Sequence, residues 1–151
     1  MCTKIDLFFS RVPDLDLLEK GVTFWTIRTK VQIRLQREGG WTRPFDAIVD
    51  TGAPISVLPQ RVWEQIERGV LGKDTMRGIV PGEGSVLPVE IAEVGGLLVD
   101  EKGQTGSISF RSYLVSRDDV PLILGVDSLL SRCVLHIDYP QSQGYLELCE
   151  L

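Results

Sequence analysis

Residues 45–59 (FDAIVDTGAPISVLP) place a single acid between two apolar segments that are predicted to be strands. Apolar residues lead into Asp50, turn-forming residues 51–54 follow it, and a second apolar segment begins at Ile55. A carboxylate on a tight turn between buried strands loses hydration, which is unfavourable unless a partner pairs with it or shares its proton. Because such positions are common where acids act in chemistry, Asp50 is the leading candidate for a catalytic residue.

Other kinds of catalytic or metal site have weaker support in the sequence. Cys133 and His136 have the spacing of half a metal site, with Cys149 as a candidate third ligand, but structural zinc sites use four ligands. The three cysteines, which include Cys2, are irregularly spaced and are expected to be reduced thiols. A serine hydrolase is disfavoured because the chain has one histidine and no serine in a G-x-S-x-G turn. We therefore expect neither a metal nor a cofactor.

The composition indicates one domain with a substantial core. The chain has 151 residues, of which 43% are hydrophobic. Its net charge of -5 comes from 21 acidic and 16 basic residues without a block of either sign, which argues against nucleic-acid or anionic membrane partners. No segment approaches the roughly 20 apolar residues of a membrane helix, and the first residues do not resemble a signal peptide. We therefore expect a cytoplasmic protein.

The elements that must position Asp50 are predicted to be strands. Residues 27–36 alternate strictly, with Ile27, Val31, Ile33 and Leu35 on the buried face, and a Gly39-Gly40 turn leads to a partner strand at residues 41–49. Asp50 then lies at the end of a hairpin's second strand. Further strands are predicted at residues 89–94, 96–99 and 107–116, followed by a final hairpin of residues 134–139 and 144–148.

Two short helices and an N-terminal arm complete the predicted elements. Residues 59–69 carry a proline near their start, an apolar stripe and a terminal glycine, which is typical of a helix. A second, brief helix is expected to carry Leu129 and Leu130, with Asp127 or Ser128 as its cap. Residues 1–22 are predicted to be an arm or an edge strand beside a domain of residues 23–151.

The segment of residues 76–89 (MRGIVPGEGSVLPV) places glycines and prolines among apolar residues. This pattern predicts a mobile hairpin whose inner side contacts an apolar group. An ordinary loop between two strands would give a similar composition.

Two motifs in this order resemble those of a known family. Residues 50–53 (DTGA), preceded by an apolar strand, are followed some seventy residues later by residues 122–125 (LILG) and then 126–129 (VDSL). This arrangement resembles the retropepsin-like aspartic proteases, in particular the branch that contains bacterial members and the DNA-damage-inducible proteins. The resemblance covers about residues 27–148. It implies an all-β fold, a closed, mostly antiparallel β-barrel with two short helices.

The resemblance also implies an aspartic endopeptidase that acts as a homodimer on a peptide or protein substrate. A pepsin-like enzyme needs two such turns and this chain has one, so a second copy would supply the other. The two Asp50 side chains would share one proton, so that one activates a water and the other donates to the scissile carbonyl. Thr51 would hydrogen-bond across the two-fold axis, and Gly52 would let the substrate approach closely.

The Gly-rich segment would correspond to the family's flap, which closes over an extended peptide by strand addition. Its apolar residues could equally contact the core or a second subunit. The residues expected to bind substrate are Ala53, Ile55, Gly78, Ile79, Val80, Gly82 and Ile123, which predict apolar residues around the cleaved bond.

Two departures from the better-known members change what is expected. Pepsins commonly have Ser or Thr where Ala53 stands, and without that donor to the ionised carboxylate we expect activity at mildly acidic to near-neutral pH. Retroviral members carry an ion pair at the positions of Pro54 and Val126, so this dimer must be held in another way. Segments 5–9 and 145–148 are the candidate dimer strands.

The alternative function is a non-catalytic binding or dimerisation module, which the intact DTGA turn disfavours.

Overall fold

The computed structural model of the protein describes residues 1–77 and 86–150, most of which lie in strands. No helix among them is long and apolar enough to cross a membrane. The helices are α1 (Leu15–Glu19), α2 (Gln60–Trp63) and a 3-10 helix at Leu130–Arg132. The strands are β1 (Cys2–Asp6), β2 (Phe8–Pro13), β3 (Trp25–Arg37), β4 (Gly40–Trp41), β5 (Phe45–Val49), β6 (Ser56–Pro59), β7 (Gly69–Met76), β8 (Leu87–Val99), β9 (Ile108–Val115), β10 (Ile123–Leu124), β11 (Cys133–Asp138) and β12 (Gln143–Cys149).

The larger of two sheets closes into a barrel. Its strand order is β2-β3-β5-β10-β6-β9-β8-β7, and β4 pairs with β3. Residues 32–35 of β3 also pair with residues 96–99 of β8. This pairing closes the ring of strands from β3 to β8, so neither strand has a free edge at these residues. Most pairings are antiparallel, whereas β5 with β10 and β6 with β9 are parallel. The predicted fold class, a closed all-β barrel with two short α-helices, is confirmed.

The interior of the barrel follows the alternation of its strands. Val31, Ile33 and Leu35 of β3 are fully buried, and the residues between them face outward. Ile27 differs from the prediction, since it is 37% exposed although it continues the same alternation. It lies in a part of β3 that pairs only with β2, where the barrel has already ended.

Strands β7 and β8 differ from what the sequence predicts. The predicted break between residues 94 and 96 is wrong, because Gly95 and Gly96 continue the ladder of β8 with β9. Gly96 suits this position because an added Cβ would lie 3.1 Å from side-chain atoms of both Ile33 and Phe110. Strand β7 was not predicted, and it pairs with β8 along most of its length.

The helices are shorter than predicted. α2 ends at Trp63 rather than at residue 69, because the chain must turn and become extended at Gly69 to pair with β8. Arg68 Nη1 closes the turn by donating to the carbonyls of Trp63 (2.9 Å) and Ile66 (3.1 Å). The second predicted helix is the 3-10 turn at Leu130–Arg132, and α1 was not predicted at all.

The smaller sheet joins the two ends of the chain in the order β1-β12-β11. Cys2 lies opposite Cys149 in the β1 to β12 ladder, and the two form a disulfide. The expectation of three reduced thiols is therefore wrong, since only Cys133 is free. A sequence separation of 147 residues hides this pairing, because only the folded chain brings β1 and β12 together.

Candidate active site

Asp50 follows β5 and is held by the short strand β10, which lies between β5 and β6. The Ile48 N–H donates to the Leu122 carbonyl at 2.9 Å, and the Asp50 N–H donates to the Leu124 carbonyl at 3.1 Å. Both LILG leucines are buried, so the strand that fixes Asp50 is itself anchored in the core. The two motifs that lie some seventy residues apart in sequence are therefore neighbours in space.

The turn at Asp50 holds its own carboxylate. The Gly52 N–H donates to Asp50 Oδ1 at 2.8 Å, and the Ala53 N–H donates to the Asp50 carbonyl at 3.1 Å. This is the arrangement of an Asx turn, in which the side chain replaces a backbone acceptor. A Cβ on residue 52 would lie 3.2 Å from Asp50 Oδ1, so glycine keeps the approach to the carboxylate open. Thr51 and Gly52 are exposed and Asp50 is half-buried.

The loop after β10 is hydrogen-bonded to the other side of this turn. The Val126 N–H donates to the Ala53 carbonyl at 2.9 Å, and the Asp127 N–H donates to the Pro54 carbonyl at 2.8 Å. Gly125 packs so closely that a Cβ there would lie 2.5 Å from the Ile55 carbonyl carbon, a distance that backbone atoms cannot relieve cheaply. Only glycine therefore fits the fourth position of the LILG motif.

Two polar residues that the sequence does not single out also hold residues 125–128 in place. Ser56 is fully buried, and its Oγ accepts from the Gly125 N–H at 3.0 Å. Arg111 on β9 forms a bidentate ion pair with Asp127, with Nε–Oδ2 and Nη2–Oδ1 distances of 3.0 and 2.9 Å. The Arg111 N–H also donates to Ser128 Oγ. The prediction that Asp127 or Ser128 caps a helix is wrong, because both side chains contact Arg111 of β9 instead.

A cleft of about 920 Å³ opens beside the turn. Five of the residues predicted to be catalytic or substrate-binding line it, whereas Thr51 does not. The predicted residues Gly78, Ile79, Val80 and Gly82 lie outside the described part of the chain. The cleft residues that were predicted are Asp50, Gly52, Ala53, Ile55 and Ile123, and those that were not include Arg28, Met76, Tyr113 and Val120.

Tyr113 contributes a fixed polar group to the wall of the cleft. Its hydroxyl donates to Asp74 Oδ2 at 3.2 Å. Burial raises the pKa of Tyr113, and the hydrogen bond to Asp74 raises it further. The phenol is therefore a neutral donor that joins β9 to β7 beside the cleft.

The other acids that line the cleft are engaged elsewhere. Asp118 Oδ1 accepts from the Arg61 N–H at 2.6 Å. Asp119 forms an ion pair with Arg117, whose guanidinium lowers the pKa of the Asp119 carboxyl. Among the described residues, the Asp50 carboxylate accepts one hydrogen bond, from its own turn. Of the three acids that line the described part of the cleft, Asp50 is thus the one held by its own turn.

Comparison with known proteins adds evidence on the fold. No family model and no curated protein matches the sequence of this chain. Among solved structures, the chain is similar to the crystal structure of a retropepsin-like aspartic protease from Rickettsia conorii, with a TM-score of 0.52. The similarity covers 98% of this chain and 93% of that chain at 16% identity. This protein has the retropepsin-like fold. At this identity the likeness supports the fold and says nothing of a particular branch or of activity.

The cysteines and the histidine of this retropepsin-like chain do not form the metal site that was considered as an alternative. Cys149 is bonded to Cys2, and the His136 ring stacks on Tyr145 with centroids 5.1 Å apart. Burial raises the pKa of the Cys133 thiol, which favours its protonated form. Within residues 1–77 and 86–150, no group of three or more candidate ligands comes together.

We predict that Ser56→Ala weakens the attachment of Gly125 beside the Asp50 turn. The substitution leaves the buried Gly125 N–H without its acceptor, which should reduce the free energy of unfolding by about 1–3 kcal/mol. Urea denaturation followed by tryptophan fluorescence measures this change.

Ser112→Ala is the matched control for this prediction. Ser112 is also fully buried and lies opposite Ser56 in the β6 to β9 ladder, but its hydroxyl donates to the Tyr113 carbonyl at 3.1 Å. A loss of stability in Ser56→Ala no greater than in Ser112→Ala would contradict the role of Ser56.

Proposed function

We propose that this protein is an aspartic endopeptidase whose active site forms between two copies of the chain, one Asp50 from each. The observation that carries the proposal is the Asp50 turn itself. Its acid is held by its own backbone at a cleft, and the other two acids that line the described part of this cleft accept from arginines instead. The retropepsin-like fold supports this reading, and the exposure of Thr51 and Gly52 leaves the turn accessible to a partner.

In the proposed dimer the two carboxylates share one proton, because two like charges a few ångströms apart do not both ionise easily. The ionised Asp50 accepts a proton from a bound water as that water attacks the scissile carbonyl. The protonated Asp50 donates to the carbonyl oxygen, which gives a tetrahedral diol. The diol then collapses as the acid that took the proton from water passes it to the amide nitrogen, so that the C–N bond breaks and the amine leaves. Because water is the nucleophile, no covalent enzyme intermediate forms. The Gly52 N–H already occupies one oxygen of the carboxylate, which orients the group for this exchange. Thr51 reaches across the two-fold axis to the other turn.

The proposed substrate is an extended peptide or an unfolded segment of a protein. Such a chain would lie in the cleft and add its backbone as a strand, while alternate side chains enter pockets. Ile55, Ile123, Met76 and Val120 give the cleft apolar walls, so apolar residues are favoured around the cleaved bond. We also propose that Gly78, Ile79, Val80 and Gly82, which lie outside the described part of the chain, contact the substrate.

We predict that Asp50→Asn abolishes peptide cleavage. The amide cannot act as the general base or share the proton, so the expected loss is at least about a thousandfold. The measurement is digestion of a diverse peptide library, read by mass spectrometry at several pH values between 4 and about 7.5.

Asp46→Asn is the matched control. Asp46 lies on β5 four residues before Asp50, is exposed, and accepts from Gln32 Nε2 at 3.1 Å. Equal cleavage by Asp50→Asn and the unaltered protein would overturn the assignment. Absence of cleavage in every form, with the dimer intact, would instead favour a non-catalytic binding module.

We also predict that Ala53 sets the pH range of activity. Ala53 lines the cleft next to Asp50 and has no hydroxyl to donate to the ionised carboxylate, so the pair keeps its shared proton to higher pH. Activity should peak at mildly acidic to near-neutral pH. Ala53→Ser adds the donor and should move the acidic limb of the kcat/KM profile to lower pH.

Ala53→Gly, which adds no donor, controls for a change of side-chain size at this position. Two results would contradict the role of Ala53. One is a maximum for the unaltered protein below about pH 3.5, under the ordinary Asp value. The other is a profile for Ala53→Ser that matches that of Ala53→Gly.

A further inference from the structure

A two-stranded hairpin extends beyond the barrel near the N-terminus. We call residues 11–28 the hairpin arm, which comprises the second half of β2, α1 and the start of β3. Strands β2 and β3 pair from Phe8 opposite Lys30 to Pro13 opposite Trp25. In the described residues, β3 gains its other neighbours, β5 and β8, only from Lys30 onward. An isolated two-stranded hairpin is marginally stable in water unless a further surface packs on it.

The hairpin arm has a defined backbone. The Asp14 N–H donates to the Phe24 carbonyl at 2.8 Å, and the Asp14 side chain caps α1 by accepting from the Leu17 N–H at 3.0 Å. The Val22 N–H donates to the Leu17 carbonyl at 2.9 Å. The arm is therefore held in one conformation by its own hydrogen bonds.

The large apolar side chains of the hairpin arm, in contrast, are mostly uncovered. More than half of the exposed large apolar residues in the described part of the chain lie in or beside it, and α1 buries none of its residues. A concentration of this kind on a monomer marks an interaction surface. The exposed residues are Phe8, Val12, Leu15, Leu18, Val22, Phe24, Trp25 and Ile27.

The hairpin arm extends past the Asp50 turn. Because Lys30 lies opposite Ile48 in the antiparallel β3 to β5 ladder, the position opposite Asp50 is Arg28. Arg28 and Asp50 accordingly line the same cleft. At about 3.3 Å per residue, Trp25 lies roughly 10 Å beyond the level of Asp50. In the proposed dimer the second Asp50 lies only a few ångströms from the first, so the arm runs alongside the second copy.

Two of the exposed residues face the inner side of the sheet. The alternation of β3 puts Trp25 and Ile27 on the same face as Val31, which is fully buried in the barrel. Trp25 is 51% exposed because no part of its own barrel reaches that far. The surface that flanks the Asp50 turn is apolar as well, since Pro54 and Val126 are exposed.

Part of the terminal segments that the sequence suggested as dimer strands is paired within the chain, whereas Phe8 and Phe9 of segment 5–9 lie in β2 beside the hairpin arm. β1 and β12 pair with each other, and the disulfide between Cys2 and Cys149 closes their ladder. Ile5 and Leu146 are fully buried in the core of their own chain. Ile5 and Leu146 are therefore not available to a second copy.

We infer that the hairpin arm is the main contact between two copies of this chain, with Trp25 and Ile27 packed on the partner beside its Asp50 turn. The inference rests on the proposed function, because the paired acids fix where the partner lies. The contact is two-fold symmetric, so each chain gives an arm and receives one. Its receiving surface includes Pro54 and Val126 of the partner subunit, the positions where the ion pair of retroviral members is absent. Apolar packing thus replaces that ion pair.

The test measures dimerisation without relying on catalysis. In the Asp50→Asn background, sedimentation equilibrium gives the dimer dissociation constant. The double variant Trp25→Thr with Ile27→Thr keeps residues that favour strands and should raise this constant about 30-fold or more. The matched control, Val70→Thr with Leu71→Thr, truncates two equally exposed residues on β7 and should change it by less than about threefold.

A second measurement uses a protein whose hairpin arm carries no substitution. Hydrogen exchange of the backbone amides of residues 22–28 in Asp50→Asn should slow when the protein concentration is raised through the dimer dissociation constant. This result does not depend on the folding of any arm variant.

Three outcomes would overturn the inference. The first is an arm variant that dimerises like its control, and the second is exchange in residues 22–28 that does not change with concentration. The third is loss of the dimer in Val134→Thr, which truncates an exposed residue of β11, but not in the arm variant. If the arm variant is monomeric while the unaltered protein cleaves no peptide, the arm contact stands and the proposed function fails. If the arm variant still dimerises and the unaltered protein is active, the reverse holds.

Discussion

The close packing of Gly125 against the Ile55 carbonyl is the contact on which the rest of the site depends. It lets β10 lie between β5 and β6, where backbone N–H groups on both sides of the Asp50 turn find acceptors. A side chain at residue 125 would push β10 outward by more than the backbone can absorb. The hydrogen bonds from Asp50 to Leu124 and from Val126 to Ala53, on either side of Gly125, depend on this approach.

Much of this arrangement could be read from the sequence, because burial leaves a pattern. Val31, Ile33 and Leu35 alternate with polar residues, and the DTGA turn sits between apolar strands that must be buried. The sequence could not show β7, whose residues are nearly all exposed and carry no alternation. The disulfide between Cys2 and Cys149 was hidden for a different reason, since it depends on a pairing of the two chain ends.

The exposed position of Ile27 shows most clearly what the pattern leaves out. Alternation along β3 is uninterrupted from Ile27 to Leu35, yet it does not say where the barrel ends and where β3 becomes half of a two-stranded hairpin. Ser56 and Arg111 were missed because a single buried hydroxyl and a single cation are common in any sequence. Their roles depend on Gly125 and Asp127, which lie 69 and 16 residues away along the chain. The structure of one chain does not contain the second acid of the proposed site, because that acid belongs to another copy.

The central claim is that each chain holds half of an active site, and subunit mixing tests it most directly. A fixed amount of the unaltered protein, at a concentration where it is dimeric, is equilibrated with increasing amounts of Asp50→Asn, and peptide cleavage is measured. Since mixed dimers carry one acid, the rate should fall in proportion to the unaltered fraction, to roughly half at equal amounts. A rate that does not change as Asp50→Asn is added would show that each chain carries a complete site and would contradict the account.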